Sequence, residues 1–280
     1  MTSIDEVFGE GDHAAGSRID GWQADAIEFL TELVSVRRQE VFFSRQLEVQ
    51  HEDRWFHWVT NRALRTLIKQ GLLRSEVRTL ADRGRVTLMW HHSYRYYRRD
   101  AARVVELINE YADPNIGAAL GLQAELLVLE GFAKHQFVMR GREARSFGAK
   151  LWTRTGHDLD FIFERDGIGY GVEVKNTLGY MPHDELLTKI DMCTALGLRP
   201  VFAARMLPRS WVSEVVAARG FALILKYQLY PWAHRELARR VSREFGLPVD
   251  APRSLADGTM ERFVRWHTSH PVISDKDSHP

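Results

Sequence analysis

The stretch from Gly156 to Asn176, GHDLDFIFERDGIGYGVEVKN, constrains the fold of this chain most strongly, because it has the pattern of a β-hairpin. Apolar residues follow Asp160 directly, and the second half alternates with period two up to Lys175. The Arg-Asp-Gly sequence at 165–167 supplies the turn between the two halves. The sequence therefore predicts two antiparallel strands, with Asp160 at the start of the first and Glu173 near the end of the second.

Glu173 and Lys175 are predicted to project from the same face of the second strand. Side chains two residues apart on a strand share a face, so Val172 and Val174 point to the opposite layer. In a chain of this composition, a triplet of an acidic residue, any residue and lysine occurs by chance about once. The spacing alone therefore also fits an ordinary ion pair at a strand end.

The order of elements around this hairpin resembles the PD-(D/E)xK nuclease superfamily. A helix with Glu125 comes first, then a strand with Asp160, a strand with Glu173 and Lys175, and a helix with Lys189. The resemblance covers somewhat under half of the chain. It implies a restriction-endonuclease-like α/β fold, in which helices flank a mixed sheet, and a nuclease whose catalytic residues are these five.

The resemblance implies a metal-dependent hydrolysis of DNA phosphodiester bonds. Mg²⁺, or Mn²⁺ in its place, prefers oxygen ligands, and Asp160, Glu173 and the carbonyl of Val174 would supply them, with Glu125 as a further member of the set. Lys175 would orient or deprotonate the attacking water, because burial can lower the pKa of a lysine toward neutrality. No proline precedes Asp160, and Asp158 on the same strand face is an alternative ligand.

Glu125 has two interpretations that the sequence leaves open. On a helix over 116–132, the stripe Leu122, Leu126, Leu129 is predicted to face the core, which puts Glu125 at the edge of the buried stripe. A carboxylate in that position needs a partner. The partner is either a basic neighbour, in a purely structural pair, or the metal site.

A second region predicts nucleic-acid binding independently of the hairpin. The segment 55–70, WFHWVTNRALRTLIKQ, reads as a helix with one basic and one apolar face. Two predicted helices precede it, and 76–90 reads as a hairpin with a basic tip. This order resembles a winged-helix domain, which binds DNA in many proteins and mediates protein contacts in others. The residues predicted to contact DNA are Arg62, Arg65, Lys69, Arg83 and Arg85.

Positive charge is concentrated in this region. Between Arg54 and Arg99 there are eleven basic residues and two acidic ones, whereas the whole chain has a net charge of +1. A local excess of this kind is expected where a protein meets a polyanion. The following segment, WHHSYRYYRRD at 90–100, mixes tyrosines with arginines, which suits either base stacking or packing within the protein.

The chain is predicted to contain a mostly helical winged-helix-like domain at 1–112, a nuclease core at 113–230, and a C-terminal helix with a loose tail at 231–280. No stretch reaches the length of about eighteen apolar residues that a membrane span needs, and no secretory leader is evident. The single cysteine, Cys193, excludes an internal disulfide. We therefore expect a cytoplasmic protein without a membrane anchor, and the resemblance adds a homodimer. The alternative function is a DNA-binding regulator or scaffold whose nuclease-like fold does not cleave.

Overall fold

A computed structural model describes residues 21–271, which form two units of a mixed α/β protein. Of these residues, the first unit comprises 21–117 together with Arg239–Pro248, and the second comprises Ala118–Ala238 and 249–271. The division falls at Gly117, close to the boundary predicted between residues 112 and 113. The C-terminal residues are shared between the units, whereas the sequence predicted a separate segment from residue 231.

Between Gly21 and the boundary, the first unit contains four helices and three strands. In chain order they are α1 (Gly21–Val36), β1 (Val41–Phe43), α2 (Ser44–Gln50), α3 (His57–Lys69), β2 (Leu73–Thr79), β3 (Arg85–His91) and α4 (Tyr97–Tyr111). The strands form an antiparallel sheet in the order β1-β3-β2. The three helices and the hairpin predicted before residue 91 are confirmed, with ends shifted by no more than about three residues.

The helices of the first unit form because their apolar residues recur at helical spacing. In α1, Ala26, Leu30 and Val34 are fully buried, and they meet Leu64 and Leu67 of α3 in one apolar cluster. The hairpin reverses direction where the amide of Leu80 donates to the carbonyl of Gly84 at 2.8 Å. Arg83 in this turn has φ 69°, in the left-handed region.

The second unit is built on a five-stranded mixed sheet. Its elements are α5 (Pro114–Lys134, whose first residues belong to the first unit), β4 (Val138–Ala144), β5 (Ser146–Phe147), β6 (Lys150–Leu151), β7 (Leu159–Arg165), β8 (Ile168–Lys175), α6 (His183–Leu196), β9 (Arg199–Ala204), α7 (Arg209–Ala217), β10 (Phe221–Ile224), β11 (Gln228–Leu229), α8 (Arg235–Phe245, which continues into the first unit), β12 (Val249–Asp250) and α9 (Asp257–Ser269). The sheet order is β10-β9-β8-β7-β4. The β4-β7-β8 part is antiparallel, and the β8-β9-β10 part is parallel.

Helices cover both faces of this sheet. On one face, Phe161, Tyr170 and Val172 pack with Phe132 of α5 and Phe263 of α9. On the other face, a second cluster joins strand residues to α6, and a third joins them to α6 and α7. The predicted hairpin at 160–175 is confirmed as β7 and β8, in the register Phe161 opposite Val172.

Four details of the second unit differ from expectation. Leu122 and Leu126 are half exposed, because α5 buries Ala124, Leu127 and Val128 instead. Helix α5 continues to Lys134, two residues beyond the end predicted at 132. The helix predicted from 231 begins as a short 3₁₀ turn before α8. Strand β4 and helix α9 were not predicted, and most of the predicted tail lies outside the described residues.

Helix α5 is an exception to the expectation that no stretch is long and apolar enough to cross a membrane. Among residues 21–271, α5 alone meets the criterion of length and composition for a membrane span. A core helix of a soluble protein meets the same criterion, and the inner face of α5 packs on the sheet.

Candidate functional site

Asp160 and Glu173 lie side by side on neighbouring strands, close to the point where β8 ends. Phe161 pairs with Val172 in the antiparallel β7–β8 register. One residue further along each strand, Asp160 comes opposite Glu173. The amide of Val174 donates to Oδ2 of Asp160 at 2.7 Å, which fixes that carboxylate against β8. Both carboxylates face the layer of α6, because Val172 and Val174 point to the opposite face.

Glu173 is clamped between two lysines. The carboxylate is 3% exposed, and its Oε2 lies 2.6 Å from Nζ of Lys189, which is itself 4% exposed. Its Oε1 lies 3.2 Å from Nζ of Lys175. Lys189 also donates to the backbone carbonyl of Asp158. Lys189 lies on the helix where the sequence placed it, and it reaches across to a carboxylate of the neighbouring strand.

Lys175 has a second partner that the sequence analysis missed. Its Nζ lies 2.8 Å from Oε1 of Glu185, in the first turn of α6. Glu185 is four residues before Lys189, and residues at this spacing share a helix face, which is the signal that could have identified it. We use the name charge cluster for Asp160, Glu173, Lys175, Glu185 and Lys189.

The two carboxylates on the strands are held away from water and close to each other. Burial raises the pKa of Asp160, although the hydrogen bond from Val174 and the two lysines oppose the change. Burial and, after it, the negative charge of Asp160 raise the pKa of Glu173. A pair of carboxylates that share one site in this way repel each other when ionised, and a cation relieves the repulsion.

Lys175 does not have the depressed pKa that the sequence analysis expected. Burial does lower it, but the carboxylates of Glu173 and Glu185 together outweigh burial and raise the pKa of Lys175 to about 12. The ammonium therefore stays charged at neutral pH. This property suits the binding of a phosphate or the orientation of a water molecule, and it does not suit proton abstraction.

Asp160 fits the predicted ligand position better than Asp158. Strand β7 begins at Leu159, so Asp158 precedes it, and the backbone carbonyl of Asp158 receives the Lys189 ammonium. The side chain of Asp160, in contrast, faces Glu173 and is tied to Val174.

Glu125 has the basic neighbour that one of its two interpretations requires. Its Oε2 accepts from Arg142 of β4 at 3.0 Å. Helix α5 packs on the sheet through Val128 and Phe132, on the face opposite to the one where Lys189 meets Glu173. Glu125 therefore forms an ion pair with Arg142. The other four predicted catalytic residues, Asp160, Glu173, Lys175 and Lys189, lie together, and Glu125 is not among them.

The donor atoms of the charge cluster fit a hard divalent cation as a partial set of ligands. Within residues 21–271, no group of three or more His, Cys, Asp or Glu side chains is arranged to hold a metal. Asp160 and Glu173 provide two carboxylates, and the carbonyl of Val174 lies on the same edge of β8 as the amide that contacts Asp160. Mg²⁺ usually keeps several waters and is bound through one or two carboxylates with substrate phosphates, and Asp160 and Glu173 match that number.

The five basic residues predicted to contact DNA are exposed in the first unit. Arg62, Arg65 and Lys69 lie on the outer face of α3, and Arg83 and Arg85 lie at the end of the β2–β3 hairpin. None of the five forms an ion pair within the described part of the chain, whereas Arg78 on β2 pairs with Glu76 at 3.1 Å. The five cations therefore remain available to an external anion.

Comparisons with protein-family models, with curated proteins and with solved structures find no match to this chain.

Proposed function

We propose that this protein is a metal-dependent nuclease that hydrolyses DNA phosphodiester bonds and binds DNA through the basic surface of its first unit. The observation that carries the proposal is the charge cluster, in which two repelling carboxylates on adjacent strands stand beside a lysine that stays charged. This combination suits a site that receives a cation and a phosphate together. The resemblance to PD-(D/E)xK nucleases rests on the same residues.

The topology of the second unit supports the proposal. The elements α5, β4, β7, β8, α6 and β9 follow one another as helix, three antiparallel strands, helix and parallel strand. The resemblance calls for a helix, paired strands with Asp160 and Glu173, a helix with Lys189 and a further strand, flanked by helices on both faces. In the first unit, the order of α1, β1, α2, α3, β2 and β3 and the sheet order β1-β3-β2 support a winged-helix fold.

Each residue of the charge cluster has a distinct part in the proposed reaction. A bound Mg²⁺ or Mn²⁺ held by Asp160, Glu173 and the carbonyl of Val174 would make water more acidic and offset the charge on the phosphate. Lys175 keeps a positive charge where the phosphate is bound, and it orients the attacking water. Lys189 positions Glu173 through the 2.6 Å ion pair. Glu185 positions Lys175 in the same way.

The test is DNA cleavage by purified protein on linear, single-stranded, flapped and four-way-junction DNA, with Mg²⁺, Mn²⁺ or EDTA. We expect cutting only with a metal, and a loss of at least ~100-fold in Asp160→Asn and in Lys175→Met, since each removes one group that acts at the phosphate. The matched control is Asp191→Asn, which removes an exposed carboxylate from the same helix as Glu185. Equal rates in the parent and in Lys175→Met would contradict the mechanism.

A DNA-binding regulator without cleavage is the second candidate, and one observation favours it. Glu173, Lys175, Glu185 and Lys189 pair with one another, so these four side chains neutralise one another and could simply hold α6 on the sheet. In that case the protein binds DNA with every metal and cuts with none. Asp160→Asn and Lys175→Met then retain full DNA affinity, which separates this outcome from a protein that has failed to fold.

A further inference from the structure

Three tyrosines lie where β3 leads into α4, and two of them are held by contacts while the third is exposed. The ring of Tyr97 stacks on Trp90 at 3.9 Å with an interplanar angle of 10°, and the hydroxyl of Tyr94 donates to Asp100. Tyr96, between them, is 84% exposed. Tyr96 thus lies between two tyrosines that are held by contacts, while its own ring is open to a partner.

Three arginines lie within three residues of Tyr96 in the sequence. Arg95, Arg98 and Arg99 are all exposed, and none of them forms an ion pair among residues 21–271. The acidic residue nearest in sequence, Asp100, is engaged by the Tyr94 hydroxyl. We call Arg95, Tyr96, Arg98 and Arg99 the Tyr96 patch. A surface that combines one free aromatic face with several unpaired guanidinium groups matches a nucleotide, which offers a base to stack and phosphates to bind.

The Tyr96 patch lies at the base of the hairpin, in the same unit as the basic face of α3. The amide of His92 donates to the carbonyl of Leu72 at 2.9 Å, so the segment leaves β3 beside the end of α3. The basic turn with Arg83 is at the far end of the same hairpin. The unit thus carries a cationic helix face, where the half-exposed Trp58 is stacked on Phe56, and a separate cationic patch with the exposed Tyr96.

We propose that the Tyr96 patch binds single-stranded DNA, with a base stacked on Tyr96 and the flanking phosphates bound by Arg95, Arg98 and Arg99. In a duplex, the faces of the bases are covered by stacking, so an aromatic side chain gains contact only where a base is unpaired. The substrate class is therefore DNA that has an unpaired strand. This inference names the form of DNA that the protein binds, and it rests on the DNA-binding part of the proposed function. It does not depend on cleavage.

The test is fluorescence anisotropy in EDTA with labelled oligothymidylate and with a labelled blunt duplex, so that no cutting occurs. We expect Tyr96→Ala to weaken binding of the single strand about tenfold or more and to change duplex binding less than about threefold. Tyr96→Phe, which keeps the ring, should bind the single strand as the parent does. Tyr227→Ala is the matched control, because it removes a half-exposed tyrosine of the second unit.

The arginines are tested through the salt dependence of the same binding. Arg95→Gln/Arg98→Gln/Arg99→Gln should reduce the slope of log affinity against log salt for the single strand by about 2, since each phosphate contact contributes about 0.7. Unchanged binding in Tyr96→Ala, an equal loss for single strand and duplex, or a loss in Tyr96→Phe equal to that in Tyr96→Ala would each overturn the proposal. Tighter binding of oligouridylate than of oligothymidylate would assign the patch to RNA and overturn it as well.

The outcomes also distinguish this proposal from the proposed function. If the protein cuts DNA and its Tyr96→Ala variant binds single strands normally, the nuclease assignment stands and the proposal for the Tyr96 patch is overturned. If the protein never cuts and its Tyr96→Ala variant loses only single-strand binding, the proposal for the Tyr96 patch stands and the nuclease assignment is overturned.

Discussion

Glu173 is the residue whose environment determines how the charge cluster responds to mutation. Its carboxylate is buried, and the two lysines that neutralise it come from different elements, β8 and α6. Burial of a charged pair contributes little net stability, but the loss of one partner leaves a charge in a medium that solvates it poorly. Lys189 is almost as buried as Glu173 and has no access to solvent as a substitute partner.

Lys189→Met is therefore expected to lower the free energy of unfolding at pH 7 by about 3–5 kcal/mol. The loss should be smaller at lower pH. Burial already holds the pKa of Glu173 above its usual value of 4.5, so the folded state takes up this proton before the unfolded state does as the pH falls. A protonated Glu173 no longer needs the ammonium. Urea unfolding of the parent and the variant between pH 4.5 and pH 7 measures this difference.

The double variant Glu173→Gln/Lys189→Met is the control, because it removes both charges. It should be more stable at pH 7 than Lys189→Met alone, and its loss relative to the parent should not become smaller as the pH falls, because it has no Glu173 carboxylate to protonate. A Lys189→Met loss that is equal at both pH values would show that Glu173 does not depend on this lysine.

At the scale of elements, the contact between β8 and α6 decides whether Lys189 reaches Glu173. Gly171 on β8 faces α6, and a Cβ atom there would lie 2.5 Å from Sγ of Cys193 and 2.8 Å from a methyl group of Leu159. These distances are shorter than real contacts of a Cβ atom, so the helix or the strand has to move. Gly121, on the outer face of α5, has nothing within 4 Å of such an atom.

We expect Gly171→Ala to destabilise the protein by about 1–3 kcal/mol through overpacking. It should also reduce cleavage, because a displaced α6 carries Lys189 and Glu185 away from the strands. Gly121→Ala is the matched control and should stabilise by about 0.5–1 kcal/mol, as alanine favours a helix more than glycine does. Thermal unfolding and DNA cleavage of both variants check the prediction. Equal stability of the two variants would mean that α6 tolerates the displacement.

The elements that could be predicted from the sequence are those whose buried face is marked by periodicity or by turn residues. Strands β7 and β8 and helix α3 are of this kind. Strand β4 lies at the sheet edge with most of its residues exposed, so it shows no alternation. Helix α5 is apolar all round, and periodicity alone could not distinguish the buried Leu127 from the exposed Leu126.

At the scale of the whole molecule, the sequence could predict which side chains lie near one another, but it could not predict which of them form ion pairs. The hairpin pattern placed Asp160, Glu173 and Lys175 correctly, because strand geometry is local. The pKa of Lys175 could not be predicted, since it depends on Glu185, which only tertiary packing brings within 2.8 Å. Glu125 was ambiguous for the same reason, because its partner Arg142 belongs to the strand β4 that the sequence did not reveal.

The distribution of charge over the molecule leads to a prediction about DNA affinity. The net charge of +1 gives the protein as a whole almost no attraction for a polyanion, so affinity has to come from the local surface of the first unit. Arg62, Arg65 and Arg83 form no ion pair within the described residues and should release counterions from duplex DNA when they bind. Their contribution is therefore separable from that of the charge cluster.

We expect Arg62→Gln/Arg65→Gln/Arg83→Gln to weaken duplex binding and to reduce the slope of log affinity against log salt by up to about 3, since each phosphate contact contributes about 0.9. Arg262→Gln/Arg265→Gln removes two exposed arginines from α9 in the second unit, and it should leave the slope unchanged because the charge that it removes is not on the binding surface. Anisotropy titrations with a blunt duplex over a series of salt concentrations measure both. Because both variants lower the net charge, slopes that fall in both in proportion to the charge removed, three in one and two in the other, would indicate that total charge governs binding and that α3 and the hairpin turn do not form the contact surface.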